Sequence, residues 1–269
     1  MIRYDLREAN QIRPLGCELG VVSEAAGSAR FSTGSTSVLA RVYGPSTPKY
    51  LRHENFEKAS IEIELSLPSP NNILSGSSSF LSAATSKKEK VMIQFLMSIL
   101  ELAIQTDLFP RLLILFQIDV IHDDGSLLTT TLNACVLAAL DSGIPMRMTP
   151  VGVTLGLLKP TAALAYHNDG KSVSGASTLC MDPCYEEEQG ARSDAHFILT
   201  FTSSSDTVTM TDNRIDDKSS SHSIRHTVLR SQCTGLFQPV QLLEAVRLGA
   251  GAAGSVKSFF RELLSEKHS

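Results

Sequence analysis

The chain has 269 residues, of which 42% are hydrophobic, 19% charged and 6% aromatic, with no Trp and a formal net charge of −4. This composition is that of an ordinary folded protein, and it excludes a disordered, collagen-like or disulfide-stapled chain. The acidic balance also excludes a free-standing basic RNA-binding protein, so any contact with nucleic acid has to come from a local cationic cluster or from a basic partner.

The first strands are predicted from period-two alternation of apolar residues. Residues 30–43 alternate on both sides of a Thr-Gly-Ser-Thr turn, which predicts a β-hairpin. Residues 59–67 alternate Ile and Leu with Ser and Glu, which predicts a strand with one buried face. Residues 68–88 are rich in Pro, Asn, Gly and Ser, and we expect them to form an exposed, flexible loop.

Two helices and one strand are predicted in the middle of the chain. Residues 90–104 are apolar around almost the whole circumference of a helix, which favours a helix buried between layers. Residues 111–121 form a continuous apolar run, typical of a central strand covered on both faces. After a turn at 123–126, residues 129–141 predict a second helix of small residues that packs closely on a sheet.

The second half repeats the order of strands followed by a helix. The strand-like segments are 151–158, 162–166, 195–202 and 207–211. A long amphipathic helix is predicted over 239–264, with interruptions at three glycines. Small residues at 248–253 are expected to permit close packing of this helix. Residues 265–269 are predicted to form a tail. The Ser-rich segment 212–226 is predicted to be another exposed, flexible loop.

The cysteines are odd in number and form no CxxC pair: Cys17, Cys135, Cys180, Cys184 and Cys233. This pattern indicates reduced, buried thiols in an intracellular protein rather than disulfides or a zinc site. The N-terminal residues lack the apolar core of a signal peptide, and no apolar run reaches the roughly 18 residues that suggest a membrane span. We therefore expect no membrane partner.

Three segments carry a family resemblance: NQIRP at 10–14 with the hairpin at 24–45, the stretch 117–147, and the acidic segment 182–201. Together they resemble the RNase PH family of phosphorolytic 3′→5′ exoribonucleases, whose relatives form the ring of the RNA exosome. The stretch 125–147 is most similar to one branch, the eukaryotic ring subunits of the ribosomal-RNA-processing forty-six type. The resemblance covers about 7–264 in the right order.

The resemblance implies an α+β fold, with two structurally similar βα halves whose sheets pack on central helices. It implies a single RNase PH-like domain over 1–264, with halves at about 1–145 and 150–264. Other RNase PH-like ring subunits and RNA are the implied partners, and the implied location is the nucleus, the nucleolus and the cytoplasm.

The phosphate-binding turn of the family is degenerate in this sequence. In catalytic relatives an Arg and a hydroxyl residue hold inorganic phosphate at a helix start, where directed N–H donors suit an anion. Here Leu127 stands at the Arg position and Leu128 at the hydroxyl position. Ser126 and Thr129 supply only neutral donors, so we predict that the turn has mainly a packing role.

The acidic pair of the family is retained more fully in this sequence than its phosphate-binding turn. Glu188 and Asp194 align with two catalytic aspartates of the family, one proposed as the general acid and the other as its partner in a magnesium-compatible pair. The longer Glu188 departs from the family's Asp. The alternative is that Glu186, Glu187 and Glu188 form a solvated acidic turn. No cofactor is required, and Mg²⁺ and inorganic phosphate are expected only if the chain is active.

Cationic and histidine side chains give weaker signals. Lys87, Lys88 and Lys90 are candidates for binding RNA phosphates, or else cations of a solvated helix start. The second basic set, which we expect to be structural or at a subunit contact, is Arg3, Arg7 and Arg13. His122 and His196 flank the two site segments, and we expect half-buried histidines rather than acid–base partners.

Two functions remain open from the sequence. The first is a non-catalytic or weakly catalytic exosome ring subunit that supports 3′→5′ RNA processing and degradation, rRNA included, through assembly and the RNA path. The alternative is a self-sufficient homodimeric nuclease, phosphorolytic or metal-dependent, that uses Glu188 and Asp194.

Overall fold

The first sheet is built almost entirely from the first half of the chain. A computed structural model of the protein describes residues 3, 5–48, 55–67, 82–159, 177–188, 193–203 and 226–268. The strands of the first sheet are β1 (Leu15–Leu19), β2 (Gly27–Thr33), β3 (Thr36–Ser46), β4 (Ser60–Ser66) and β5 (Leu113–His122). Their order is β1-β2-β3-β5-β4, and only the β4–β5 pair is parallel.

The second sheet and the helices complete the described fold. The remaining strands are β6 (Val151–Leu158), β7 (Thr178–Met181), β8 (Ser193–Ser203) and β9 (His226–Gly235), in the antiparallel order β7-β6-β8-β9. The helices are α1 (Ser82–Ala103), α2 (Leu127–Asp141), the single turn α3 (Tyr185–Glu188) and α4 (Pro239–His268).

Two helices lie between the sheets. Helix α2 contacts β2 and β3 on one side and β6 on the other, and its residues from Leu127 to Ala139 are all buried. Helix α4 contacts β6 and β8, and it reaches the first sheet where the Phe260 ring meets the Phe31 ring edge-on at 6.0 Å. The α+β class with sheets packed on central helices is therefore confirmed.

The predicted hairpin and the amphipathic strand are confirmed. Strands β2 and β3 pair antiparallel up to Thr33 opposite Thr36, as the turn predicts. In β4, Ile61 and Ile63 are buried, as the alternation predicts. Helix α1 connects β4 to the parallel strand β5, a connection that a tight turn cannot make.

Two predictions about the middle of the chain are wrong in part. Helix α1 begins at Ser82, so residues 82–88 are helical and not loop, while 68–81 lie outside the described residues. The helix is not buried all round either, because Val91 and Leu102 are each 53% exposed.

Strand β5 is central in the sheet but is covered on one face only. Ile114, Phe116 and Ile118 are fully buried, whereas the alternate residues Leu115 and Gln117 are half-buried. The expectation of two covered faces is wrong because the helices pack on one face of this sheet, which is the usual arrangement when most neighbours are antiparallel.

In the second half, the strands at 151–158 and 195–202 are confirmed as β6 and β8. The strand-like segments 162–166 and 207–211, and the loop 212–226 apart from its last residue, lie outside the described residues. The patterns above did not predict β1, β7, α3 or β9.

Helix α4 runs without interruption through Gly249, Gly251 and Gly254 to His268, so the predicted breaks and most of the predicted tail at 265–269 are wrong. A Cβ built on Gly249 would lie 3.0 Å from the ring of Phe201 on β8. The expectation that small residues here permit close packing is therefore confirmed.

The five cysteines are all free thiols, and Cys135, Cys180 and Cys184 are buried. In the described part of the chain, no helix is both long and apolar enough to cross a membrane.

Two glycines of α4 give a matched stability test. Gly→Ala in a helix interior normally stabilises by about 0.5–1 kcal/mol, because Ala loses less backbone entropy on folding. We expect this gain for Gly251→Ala, whose Cβ meets nothing within 4 Å. Gly249→Ala should be less stable than Gly251→Ala by about 1–2 kcal/mol, because the fully packed Phe201 has to move. Urea unfolding measures both, and equal stabilities would contradict the close packing of α4 on β8.

Candidate functional site

The site is built where two turns touch. The first turn joins β5 to α2, and the second lies between β7 and α3. Gly125 has φ +87°, and a Cβ on it would lie 2.6–2.7 Å from backbone atoms of residues 183–185. Any larger residue would force the turns apart, so the sequence needs glycine here.

Two buried arginines from the N-terminal segment hold the second turn. Arg13 Nη2 lies 2.8 Å from Asp182 Oδ1 and also donates to the carbonyl of Gly125 at 3.1 Å. Arg3 donates to both carboxylate oxygens of Glu187, at 3.1 and 2.7 Å. Burial opposes ionisation of Asp182 and Glu187, but the hydrogen bonds and charge of the arginines lower both pKa values overall.

The same clamp includes Arg7, whose guanidinium donates to the carbonyl of Asp182 at 3.0 Å. All three N-terminal arginines therefore make structural contacts within the chain, as one of the two expectations for them predicted.

Glu188 ends α3 and points at the start of α2. Its Oε1 accepts a hydrogen bond of 2.7 Å from the backbone N–H of Ser126, the residue that precedes α2. Helix N-termini present unsatisfied N–H groups and a partial positive charge, which attract an anion. The protein's own carboxylate therefore occupies the place where the resemblance puts phosphate.

The environment of Glu188 makes its carboxyl harder to ionise than that of an ordinary glutamate. Burial raises the pKa of this carboxyl to about 7, and the nearby charge of Asp123 acts in the same direction. The hydrogen bond from Ser126 and the charges of Arg13 and Lys88 oppose the rise without cancelling it.

A cleft of about 530 Å³ opens beside this contact. Its apolar lining consists of Val91, Met92, Leu127, Leu128 and Ile198. Leu127 and Leu128 are 7% and 9% exposed, so the positions of the family's Arg and hydroxyl residue are filled by packed aliphatic groups. The cleft therefore resembles a pocket for a neutral, apolar group more than a cradle for an anion.

The two neutral donors of the turn are already used inside the protein. Ser126 Oγ donates to the carbonyl of Pro183 at 3.1 Å. Thr129 Oγ1 lies 3.0 Å from the carbonyl of Ser126 and 2.8 Å from Thr154 Oγ1. The predicted packing role of this turn is what the geometry supports.

The acidic turn is not solvated as a whole. Glu186 is exposed, whereas Glu187 is buried against Arg3 and Glu188 lines the cleft. The alternative of a simple surface run is wrong for the last two residues.

Asp194 is not brought into the lining of the cleft. Its carboxylate accepts a hydrogen bond from Ser177 Oγ at 2.8 Å and lies 3.2 Å from Lys159 Nζ. The hydrogen bond from Ser177 lowers its pKa, helped by Lys159. Because Glu188 bonds to Ser126 while Asp194 pairs with Ser177 and Lys159, the two carboxylates do not fit a shared Mg²⁺ ion. In the described ranges, no group of three or more His, Cys, Asp or Glu side chains is placed to hold a metal.

The predicted RNA-contacting lysines divide between the rim of the cleft and the surface. Lys87 and Lys88 line the cleft, and Lys88 Nζ lies 3.4 Å from Asp123 Oδ2. Lys90 is exposed and does not line the cleft. A role of these lysines in RNA binding stays a prediction.

The two histidines differ. His196 is half-buried, as expected, but it lies in the cleft, where burial lowers its pKa and the Glu188 backbone accepts its hydrogen bond. His122 is exposed instead of half-buried, and its Nδ1 lies 3.1 Å from the carbonyl of Ser35.

Sequence reasoning missed the part of the cleft supplied by the second sheet, namely Thr154, Ile198, Gln232 and Thr234. The alternation of β8 places Ile198 on the same face as His196 and is a usable signal, whereas β9 carries no clear pattern.

The pH dependence of stability tests the burial of Glu188. Because its folded pKa of about 7 exceeds the ordinary value of 4.5, the folded state binds more protons between these values, and the free energy of unfolding falls as pH rises through this window. Glu188→Gln keeps the acceptor oxygen without the charge. Its stability relative to wild type should therefore increase by about 3 kcal/mol between pH 4.5 and 8.

Urea unfolding at several pH values measures this difference, with the exposed neighbour Glu186→Gln as the matched control. The control should show no such trend. A pH-independent difference for Glu188→Gln would show that the carboxyl is solvated.

Comparison with known proteins identifies the family to which this fold belongs. The model of the 3′ exoribonuclease family, domain 1 (RNase PH), matches residues 11–145. Two relatives described as exosome complex exonuclease RRP46 homologs, from Arabidopsis thaliana and Oryza sativa subsp. japonica, are each 28% identical. They cover 99% and 98% of this chain, which spans 97% and 96% of their lengths.

An exosome complex component RRP41 homolog of Arabidopsis thaliana is 31% identical over 65% of this chain and 71% of its own. The crystal structure of rice Rrp46 matches with a TM-score of 0.71 at 26% identity, covering 98% of this chain and all of that one. The similarity to the forty-six branch is confirmed, and the chain belongs to the RNase PH family of 3′ exoribonucleases.

Proposed function

We propose that this chain is a ring subunit of an RNA exosome that supports 3′→5′ RNA processing and degradation, rRNA included, without phosphorolytic activity of its own. The similarity to proteins described as exosome components supports the assignment to the complex. The proposed lack of activity rests on one observation. The Glu188 carboxylate accepts the hydrogen bond of the Ser126 N–H, next to the aliphatic side chain of Leu127.

Phosphorolysis needs inorganic phosphate held beside the last phosphodiester of the RNA. Guanidinium and free N–H groups supply the directed donors that such an anion requires. In this cleft the Ser126 N–H is taken, and Leu127 and Leu128 offer no side-chain donor. An incoming dianion would lose its water next to a carboxylate, which makes binding unfavourable.

The chain's contribution is then assembly and the path of the RNA. Lys87 and Lys88 at the rim of the cleft are the cations that we assign to passing RNA phosphates. Each such contact adds a small, salt-dependent increment to affinity, and an acidic chain gains most of its RNA contact from basic neighbours in a ring.

An exposed apolar face supports assembly with a partner. Leu236, Val240 and Leu243 are 86%, 69% and 71% exposed where β9 leads into α4. Val240 and Leu243 are three residues apart, so they share one face of the helix. Large exposed apolar side chains that cluster mark contact surfaces, and we assign this face to a neighbouring RNase PH-like subunit.

The alternative, a self-sufficient homodimeric nuclease, is not favoured. It needs Glu188 and Asp194 to act together, whereas Asp194 pairs with Lys159 outside the lining of the cleft. We accordingly propose no resident cofactor. Location in the nucleus, nucleolus and cytoplasm stays a prediction.

Phosphate binding and phosphorolysis test the inactivity directly. The purified chain should release no nucleoside diphosphate from a labelled oligoribonucleotide at any phosphate concentration. The double variant Leu127→Arg/Glu188→Gln restores a guanidinium and removes the competing charge, so phosphate should raise its unfolding temperature by several degrees, as a ligand that binds only the folded state does.

The matched control is Leu127→Arg/Glu186→Gln, which leaves the carboxylate of Glu188 in place and should show no stabilisation by phosphate. The proposal would be contradicted if the wild-type chain shortened RNA in the presence of phosphate and if both Glu188→Gln and Asp194→Asn abolished this activity. That result would favour the nuclease alternative.

The exposed face is tested by assembly. Val240→Asp/Leu243→Asp should weaken pairing with RNase PH-like ring subunits at least about tenfold, because it puts two charges into an apolar contact. Native mass spectrometry of the mixed subunits measures this, with Val21→Asp, an exposed valine between β1 and β2, as the control. Unchanged pairing of the double variant would exclude this face from the ring contact.

A further inference from the structure

A second cavity lies at the opposite end of α2 from Ser126. It is a groove of about 470 Å³ between the C-terminal half of α4 and residues 146–149. Its apolar lining is Leu140, Met146, Met148, Phe260 and Leu264. No residue of this groove lines the cleft beside Glu188, so the two cavities can be altered separately.

The groove is lined by cationic side chains although the protein as a whole is acidic. Its charged lining residues are all cationic: Arg147, Lys257 and Arg261. Arg147 forms an ion pair with Asp107. No carboxylate in the described part of the chain pairs with Arg261, which is exposed at the edge of the groove. An acidic chain therefore presents here a local surface that is complementary to anions.

A polar group in the wall also lacks a partner. Thr149 lines the groove, and its Oγ1 is buried without a hydrogen-bond partner in the described residues. Because this oxygen is itself buried, a ligand lying in the open groove reaches it only after a local opening of the wall.

We propose that this groove binds an extended acidic peptide segment of a partner protein, with aliphatic side chains seated on the groove floor and carboxylates at Arg147 and Arg261. Methionines adapt to varied apolar side chains, as Met146 and Met148 would here. The lining disfavours single-stranded RNA, because the Phe260 ring is only 3% exposed and offers no face on which a base can stack.

The test uses the full chain and a defined probe. A pool of ten-residue synthetic peptides, with Asp or Glu alternating with Leu, Met or Phe, is captured on the immobilised protein beside a pool with Asn and Gln in place of the acids. The most enriched peptide is then measured by fluorescence polarisation against the wild-type chain, Arg261→Glu and Arg247→Glu. Arg247 is another exposed cation of α4, lies outside the groove and serves as the matched control.

Enrichment of the acidic pool over the amide pool is expected. Arg261→Glu should weaken binding at least about fivefold, because it replaces attraction by repulsion, whereas Arg247→Glu should stay within about twofold. Thermal unfolding checks that both variants fold. The proposal is overturned by equal enrichment of the two pools, by equal loss in the two variants, or by labelled oligoribonucleotide binding that Arg261→Glu abolishes while no acidic peptide binds.

Discussion

The hydrogen bond from the Ser126 N–H to the Glu188 carboxylate decides what the cleft can accept. It exists because two turns, far apart in sequence, are pressed together at Gly125 and clamped by the buried Arg13–Asp182 pair. The N–H that precedes α2 is thereby satisfied from within, and the two leucines that follow it are packed as apolar residues. The absence of a guanidinium at position 127 and the bond from Ser126 to Glu188 therefore both disfavour an anion at this site.

The same central helix contributes to both of the cavities described above. Its N-terminal end closes the cleft at Leu127 and Leu128, and its C-terminal end forms part of the second groove at Leu140. Packing between two sheets makes α2 a rigid scaffold, since its residues from Leu127 to Ala139 are buried. With the function proposed above, the fold of a catalytic family is kept for shape, and its exposed features serve contacts with RNA and partner chains.

Short-range sequence patterns predicted those strands and helices whose buried face is set by their own residues and turns. The β2–β3 hairpin and β4 follow from period-two alternation and turn residues, and α2 from its run of small residues. Features set by the layers around an element were missed. These are the uncovered face of β5, and the unbroken course of α4 through three glycines, of which packing against Phe201 requires only Gly249. The family resemblance predicted the position of the site, because it pointed to Leu127 and Glu188. No local pattern could show that a carboxylate 62 positions away bonds to Ser126.

The most direct test of the central claim is the backbone amide resonance of Ser126, followed by ¹⁵N NMR during separate titrations with pH and with inorganic phosphate. If Glu188 holds this N–H, the resonance should titrate with a midpoint near the Glu188 pKa of about 7 and should stay fixed when phosphate is added at pH 8. A resonance that ignores pH through this range but moves saturably with phosphate would contradict the account, because the helix start would then be an open anion site.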